Sequence, residues 1–176
     1  MPITLKIDTG GFSAKIANYE KKAVKEIAKE LNIFGFKSVN DAKRMAPVDE
    51  GHLVRSISFD PASEAKLKVS VVVAADYAAY VEFGTRTFAA AYVASLPANW
   101  QQYAATFKGK GGGSYNDFIF RLKEWVIRKG IATGDDVDNV AYLIAKKILR
   151  NGIRPHPFLY PSITKNLIEL KKRFNA

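Results

Sequence analysis

Few residues of this chain have the types and the spacing that catalysis or metal binding requires. The two histidines, His52 and His156, lie far apart, and neither belongs to an HExxH pattern or stands beside a plausible set of ligands. The carboxylate pairs at 49–50 and 135–136 stand where helices are expected to begin, so helix capping explains them. Without cysteine the chain has no thiolate chemistry. We therefore predict a protein that is not an enzyme and that uses no cofactor or metal.

A glycine-rich basic segment, KGKGGGS at 108–114, invites comparison with a phosphate-binding loop. A Walker loop needs Lys followed by Ser or Thr, and neither lysine of this segment meets that condition. We interpret the segment as a mobile basic loop, because glycine-rich sequences stay flexible. Lys108 and Lys110, with Arg121 and Lys123 farther along, are candidate contacts to a phosphate backbone or to the lumen of a DNA channel. Alternatively, the helix that contains Arg121 and Lys123 simply faces solvent.

The charge of the chain favours a polyanion as neighbour. Its formal net charge is +10 and its pI is near 9.7. Residues 86–134 have seven basic and two acidic side chains, and seven minus two gives +5, half of the total. Lys and Arg bind phosphates with release of condensed counterions, so nucleic acid is a plausible partner. A solvated basic surface is the other interpretation, and charge alone does not separate the two.

Hydrophobic periodicity predicts the order of the secondary structure. The 176 residues fit one domain, 1–176, with 86–135 as a mainly helical insertion in it. A long helix is predicted over 18–44, a β-hairpin follows with its turn at 61–64, and Val69, Val71 and Val73 should form one apolar strand face. The fold class is α+β, a small antiparallel sheet packed by the long N-terminal helix and by C-terminal helices.

The predicted helices after the hairpin have their own start and stop signals. Asp49 is predicted to cap a helical turn at His52, and Gly84 to end a short helix that begins at Tyr77. In the insertion, Leu122 and Val126 belong to the apolar stripe of one helix. The stripe of the next helix is predicted at Val140, Leu143, Ile144 and Ile148, and Pro161 should occupy the first position of the last helix.

Three short segments carry the identity of the chain. They are APVDEGHLVRSI at 46–57, DYAAYVEFGT at 76–85 and RPHPFLYPS at 154–162. In this order they resemble the neck and minor tail component family of long-tailed bacteriophages, whose members show A-P-V-D-T-G-x-L-R-x-S-I, Y-A-x-Y-V-E-x-G-T and P-x-P-F-L-x-P-A. The resemblance covers 20–85 and 136–176. Glu50, Val54 and Ser162 depart from the family pattern without disturbing the backbone that it requires.

The residue types of these segments are suited to shaping turns and packing rather than to catalysis. The motif positions are Pro47, Asp49, Gly51, Tyr77, Tyr80, Gly84, Pro155, Pro157 and Phe158. Glu82 pairs with a nearby Lys or Arg of the same subunit in one interpretation. In the other, Glu82 and Arg86 meet a neighbouring subunit, as a heterologous ring interface requires. The proline-rich third segment lays Phe158 and Leu159 into the core or forms an arm that crosses to a neighbour.

The resemblance implies a structural protein of the virion neck or head–tail interface, assembled in the host bacterial cytoplasm. Relatives form a homo-oligomeric ring, plausibly a hexamer, that joins the capsid connector to the tail around the DNA channel. The implied partners are copies of itself, head-closure or connector proteins, tail terminator or tail tube proteins, and genomic DNA without sequence specificity. No membrane is expected. The alternative is a small basic nucleic-acid-binding protein without sequence specificity, and a nuclease is a distant third because metal-binding carboxylates do not cluster.

Overall fold

The computed structural model describes residues 3–6, 21–109 and 114–174. The predicted Lys110 lies outside these residues. In this part of the chain the strands are β1 (Ile3–Lys6), β2 (Ile57–Asp60) and β3 (Ser70–Val73), and the helices are α1 (Lys21–Met45), α2 (His52–Arg55), α3 (Ala78–Phe83), α4 (Arg86–Ala94), α5 (Ala98–Ala105), α6 (Tyr115–Arg128), α7 (Asp136–Asn151) and α8 (Leu159–Phe174). This composition confirms the α+β class.

The three strands form one antiparallel sheet in the order β1–β3–β2. The pairing of β2 with β3 runs from Ile57 opposite Val73 to Asp60 opposite Ser70, which confirms the hairpin. Its connection spans 61–69 and contains the isolated bridge between Ser63 and Lys66, so it is longer than the turn predicted at 61–64. Strand β1 was not predicted, because four residues at a sheet edge are too short for a periodic signal.

The sheet packs against α1 through the predicted valine face. Val69, Val71 and Val73 are all fully buried, as period-two alternation requires. Helix α1 is unbroken at Gly35, although a glycine inside a helix normally weakens it. A Cβ added at Gly35 would lie 2.6 Å from Cδ2 of Phe59 and 2.7 Å from Cγ2 of Val69. The missing side chain therefore allows the helix to approach the hairpin closely.

A buried carboxylate joins α1 to α8. Asp41 accepts hydrogen bonds from Nδ2 of Asn166 at 3.0 Å and from Nζ of Lys165 at 3.2 Å, and it also pairs with Arg44. Burial acts to raise the pKa of Asp41, but the hydrogen bonds from Asn166, Arg44 and Lys165 outweigh burial and hold it below its ordinary value. The two helices are thus fixed by a charged contact as well as by apolar packing.

Helices α6 and α7 form an apolar helical hairpin. Its buried core consists of Leu122, Val126, Val137, Ala141 and Ala145. The predicted stripe of α6 is confirmed, but that of α7 is wrong at Leu143, which is 56 % exposed. The small Ala141 and Ala145 face α6 instead, because small side chains let two helix backbones approach. A prediction from hydrophobicity alone therefore places leucine rather than alanine in the core.

Two predicted helix starts also need correction. Helix α2 follows Gly51, which has φ 76° and takes the N-cap position without a side-chain hydrogen bond, so Asp49 is not its cap. Helix α8 begins at Leu159, which puts Pro161 at the third position rather than the first. Elsewhere, Oγ of Ser114 caps α6 by accepting the N–H of Asp117 at 3.1 Å.

The chain divides into two compact units. Unit 1 comprises residues 1–82 and 156–176, and unit 2 comprises residues 83–155. Besides the helical hairpin, unit 2 contains an aromatic cluster in which Phe83, Trp100, Tyr103 and Phe107 have ring centroids 5.1 to 6.3 Å apart. That the chain is a single domain with an insertion at 86–135 stays a prediction. None of the described helices is long and apolar enough to cross a membrane.

Candidate functional site

The carboxylate of Glu82, at the end of α3, is the most specific polar group of unit 1. The residue is fully buried. Its Oε2 accepts the backbone N–H groups of Phe158 and Leu159, each at 2.8 Å, and its Oε1 accepts the N–H of Tyr160 at 2.9 Å. We call this arrangement of Glu82 with the three N–H groups the Glu82 framework.

The Glu82 framework completes the N-terminus of α8. A helix leaves the N–H groups of its first turn without partners inside the helix. Here one carboxylate accepts three of them, and the next residue, Pro161, has no N–H to satisfy. A negative side chain is also favourable at this end of a helix because the peptide dipoles make it positive. Sequence spacing did not reveal this role, since the partners lie 76 to 78 residues away.

Burial is the main influence on the protonation of Glu82. Removal from water raises the pKa of its carboxyl, and the N–H groups of Leu159, Phe158 and Tyr160 offset this in part. Neither prediction for Glu82 matches these contacts. The side chain pairs with backbone groups rather than with Lys or Arg, and it is buried inside unit 1 rather than exposed to a neighbouring subunit.

The three segments singled out in the sequence meet in unit 1. The hydroxyl of Tyr77, a half-exposed residue, makes a hydrogen bond with the backbone of Leu53 and so joins the second segment to the first; burial raises the pKa of Tyr77. The Glu82 framework and the bond from the N–H of His156 to the carbonyl of Val81, at 2.7 Å, join the second segment to the third. The resemblance therefore corresponds to one connected structure.

The remaining motif residues have clear places. Phe158 and Leu159 are fully buried, as the core interpretation of the third segment predicts, while Pro155 and Pro157 are partly buried. Tyr80 is partly buried on α3, and Pro47 is exposed after α1 ends.

The last two residues of the second segment, Gly84 and Thr85, make a tight backbone contact in unit 2. The N–H of Thr85 donates to the carbonyl of Ile153 at 3.0 Å, and the N–H of Ile153 donates to Oγ1 of Thr85 at 2.7 Å. Gly84 has φ 73°, and a Cβ there would lie 2.7 Å from the carbonyl oxygen of Ile153. Any larger residue would separate the two chain segments, so the motif glycine has a packing reason as well as a conformational one.

The predicted DNA contacts do not form one patch in the described part of unit 2. Lys108 is exposed after α5, and Arg121 is exposed on α6. Lys123 is partly buried and pairs with Asp138 at 2.7 Å. Residues two apart on a helix point in different directions, so Arg121 and Lys123 face different sides of α6.

Arg86, the predicted interface residue, begins α4 in an unusual conformation. Its φ is 52°, in the left-handed region, and among the described residues it is the one non-glycine with a positive φ. The side chain is exposed, so it is available to a neighbour. Its role at an interface stays a prediction.

A basic groove between α1 and α8 was missed by sequence reasoning. It has a volume of about 550 Å³ and is lined by Lys37, Lys43, Arg44 and Lys165 beside Asp41 and Glu169. Lysines of two helices more than a hundred positions apart cannot be assigned to one surface from spacing. Among the described residues, no group of three or more His, Asp or Glu side chains could hold a metal ion. The fold and the site thus define an α+β scaffold whose buried polar groups join distant chain segments.

The comparison with protein families agrees with this scaffold. Residues 10–84 match a family model described as "Bacteriophage HK97-gp10, putative tail-component". The match contains the first segment and all of the second except Thr85, and it confirms the predicted resemblance to a phage neck and tail family over this part of the chain. The match covers 75 of the 176 residues, so the likeness to a phage tail component is shown for this part of the chain. No curated protein and no solved structure matches the chain.

Proposed function

We propose that the chain is a structural protein of the phage neck or head–tail interface, which forms a ring between the capsid connector and the tail around the DNA channel. The observation that carries this proposal is the match of residues 10–84 to a tail-component family, together with the Glu82 framework. That framework attaches the third segment, which lies beyond the match, to the matched residues. In this function the chain needs rigid packing and interfaces, and no catalytic group is assigned.

The ring is proposed to be a homo-hexamer, with head-closure or connector proteins on one side and tail terminator or tail tube proteins on the other. Stable interfaces of this kind bury roughly 1,000 Å² or more each. Quantitative mass spectrometry of purified virions tests the proposal. We expect this chain at the copy number of a single ring. Its absence from infectious particles would overturn the proposal.

The basic side chains of unit 2 are proposed to contact the genome without reading its sequence. The support is the net charge of +10 and the exposure of Lys108 and Arg121. Lys123 contributes less, because a phosphate must compete with Asp138 for it. Replacing Lys108, Lys110, Arg121 and Lys123 by Gln should impair genome retention or head–tail joining. Normal infectious particles from this variant would remove DNA contact from the proposal.

The second candidate is a small basic nucleic-acid-binding protein without sequence specificity. The basic groove between α1 and α8 is the observation that favours it. A free binding module should bind DNA strongly as a monomer or dimer, with an affinity that falls steeply as salt rises. A neck subunit should bind DNA weakly and join virions. Salt titration of DNA binding by the purified chain separates the two functions.

A further inference from the structure

Exposed basic side chains of unit 2 collect where α4 begins and where α7 ends. One is the first residue of α4, three lie in the last two turns of α7, and one follows α7. Lys146 and Arg150 are four residues apart and therefore lie on the same side of α7. We call these five exposed residues the basic cluster: Arg86, Lys146, Lys147, Arg150 and Arg154.

Contacts between α4 and the end of α7 bring the basic cluster together. The hydroxyl of Thr87 donates to the carbonyl of Asn151 at 2.8 Å, so the first turn of α4 lies against the last residue of α7. The guanidinium carbon of Arg154 lies 5.4 Å from the centroid of the Phe88 ring, within the range of a cation–π contact. Arg86 directly precedes Thr87, and it therefore stands beside the cations at the end of α7 although it is far from them in the chain.

No acidic residue belongs to the two stretches of unit 2 that contain the basic cluster. Residues 83–116 contain three Lys or Arg, residues 139–155 contain four, and neither range has an Asp or Glu. The nearest acidic residue along α7 is Asp138, which lies about 12 Å before Lys146 at the rise of a helix and pairs with Lys123. Within the described part of the chain, none of the five cluster residues forms an ion pair. The cluster is therefore a positive surface without compensating carboxylates.

The basic groove between α1 and α8 in unit 1 differs in this respect. Lys37 pairs with Glu169 at 2.8 Å, and Lys165 and Arg44 both pair with Asp41. A phosphate that entered this groove would have to compete with two carboxylates for these cations. No such competition exists at the basic cluster. A polyanion should therefore be attracted more strongly to the cluster than to the groove.

The backbone of Arg86 is a second indication of a binding role. Its φ of 52° lies in the left-handed region, where a residue with a side chain is strained. Strained residues concentrate at functional sites, where the rest of the structure holds them in place. Here the strained residue is an exposed arginine at the edge of an uncompensated positive surface. Binding of an anion would give a function to the side chain that the strain maintains there.

We propose that the basic cluster binds the phosphate backbone of duplex DNA without reading its sequence. The inference deepens the proposed contact of unit 2 with the genome, and it rests on that contact. It adds one continuous surface to the separate basic residues already considered. Lys and Arg side chains that neutralise phosphates release condensed counterions, so the binding should be electrostatic and should weaken as salt rises. Contacts to phosphate alone carry no sequence information.

Salt titration of DNA binding by the purified full chain tests this surface. Fluorescence anisotropy with a short labelled duplex gives the binding constant at NaCl concentrations that start from low salt. The wild type is compared with Lys146→Gln/Lys147→Gln/Arg150→Gln, whose three positions are exposed. Each phosphate contact that is lost makes the slope of log K against log [NaCl] shallower by about 1. We therefore expect a slope that is shallower by about 3 for the triple variant.

A matched control removes the same three charges from unit 1. Lys37→Gln/Lys43→Gln/Lys165→Gln changes the groove between α1 and α8 and lowers the net charge equally. This variant should keep the slope of the wild type, because its residues lie outside the basic cluster. Circular dichroism of every variant confirms that it is folded.

Arg86→Gly separates DNA binding from stability. Glycine adopts a positive φ without strain, so this variant should be at least as stable as the wild type. It should nevertheless lose one phosphate contact, and its slope should be shallower by about 1. Arg86→Lys keeps the charge and should keep the slope. A glycine variant with the slope of the wild type would remove Arg86 from the surface.

The other outcomes distinguish this surface from its alternatives. A shallower slope for the groove variant alone would assign DNA binding to unit 1, and equal changes in both triple variants would show that only net charge matters. Either result overturns the proposal, as does a wild type that binds phosphatidylglycerol vesicles but not the duplex. If the wild type is present in virions at the copy number of one ring but the cluster variant keeps its slope, the neck function stands and this surface falls. A chain that is absent from virions but binds DNA through the cluster would overturn the neck function alone.

Discussion

The two compact units distribute polar and apolar side chains in opposite ways. All six buried polar or charged residues of the described chain belong to unit 1: Ser38, Asp41, Ser70, Glu82, Ser162 and Asn166. Among the residues that the structure describes, unit 2 has eight of the thirteen exposed large hydrophobic residues, although it is the smaller unit: Tyr115, Phe120, Ile127, Ile131, Tyr142, Leu143, Leu149 and Ile153. Unit 1 is therefore specified by internal hydrogen bonds between distant segments. Unit 2 leaves apolar surface that another molecule can cover.

The largest effect is expected from removing the acceptors of unit 1. In Glu82→Gln, an amide NH₂ faces an N–H donor of α8 in place of an oxygen. A buried N–H group left without an acceptor costs about 1–3 kcal/mol, and the amide leaves one of the three N–H groups in that state, so we expect a loss of unfolding free energy towards the upper end of this range. Urea unfolding followed by circular dichroism measures it. Glu124→Gln, an exposed position of unit 2, is the matched control and should change stability by less than about 0.5 kcal/mol. A loss below about 1 kcal/mol for Glu82→Gln would contradict the role of the framework.

Overpacking of the helical hairpin should have the next largest effect. Ala141 is fully buried against α6, so Ala141→Leu introduces methylene groups for which there is no space. We expect a loss of about 1–3 kcal/mol. Leu143→Ala, two positions away and exposed, should stay within about 0.5 kcal/mol of the wild type. Thermal unfolding of both variants measures the difference. If Leu143→Ala were the more destabilising variant, Leu143 would belong to the buried face of α7, as the sequence predicted.

The pH dependence of unit 1 offers a third measurement. The folded pKa of Asp41 lies below its ordinary value of 3.8, so its contribution is present above pH 3.8 and is lost as the pH falls through the folded value. Asp41→Asn should cost about 1–2 kcal/mol at neutral pH, because hydrogen bonds to a charged group are weakened. The loss should shrink on acidification in urea titrations between pH 2 and 7. An equal loss at every pH would exclude the charge of Asp41 as the cause.

Glu82 should contribute with the opposite sign. Its folded pKa is raised above the ordinary 4.5, so its contribution is fully present below pH 4.5 and is lost as the pH rises through the folded value. The two carboxylates therefore give opposite slopes in the same titrations. Comparison of Asp41→Asn with Glu82→Gln across the pH range separates them.

The smallest effect is expected at the first residue of α4. Arg86 has φ 52°, a conformation that glycine adopts without a steric penalty. Arg86→Gly should therefore raise the unfolding free energy by about 0.5 kcal/mol. Arg86→Lys keeps the charge and the strain and should leave stability unchanged. A destabilised glycine variant would show that the arginine side chain makes a contact that outweighs the backbone strain.

Local patterns predicted the fold well where one face of an element meets the core. The alternation at Val69, Val71 and Val73 and the long α1 are examples. Prediction of α7 failed at Leu143 because helix packing chose small alanines over a larger hydrophobic residue. The capping of α2 was also mispredicted, since Gly51, in a left-handed conformation, occupies the N-cap position that Asp49 was expected to occupy.

The site was predictable in its segments but not in its contacts. Sequence identified Glu82 and Phe158 as important, yet the bond between them joins residues 76 positions apart. Likewise, Asp41 and Asn166 are 125 positions apart. Such pairs depend on how α1, α3 and α8 are placed by the whole of unit 1. The periodicity of a single sequence contains no information about that placement.

The hydrogen bond between Val81 and His156 has a consequence for how this chain can vary. It holds together the two ends of unit 1 between which residues 83–155 are inserted, and the pair Thr85 and Ile153 repeats the closure a few residues outward. Because this hydrogen bond holds the two ends of the segment 83–155 together, we expect the segment to tolerate changes in its length, as loops with adjacent ends do. A variant with a longer or shorter segment beyond this hydrogen bond should therefore keep α3 and α8 in their positions. A foreign peptide or a reporter domain grafted there would exploit the same freedom.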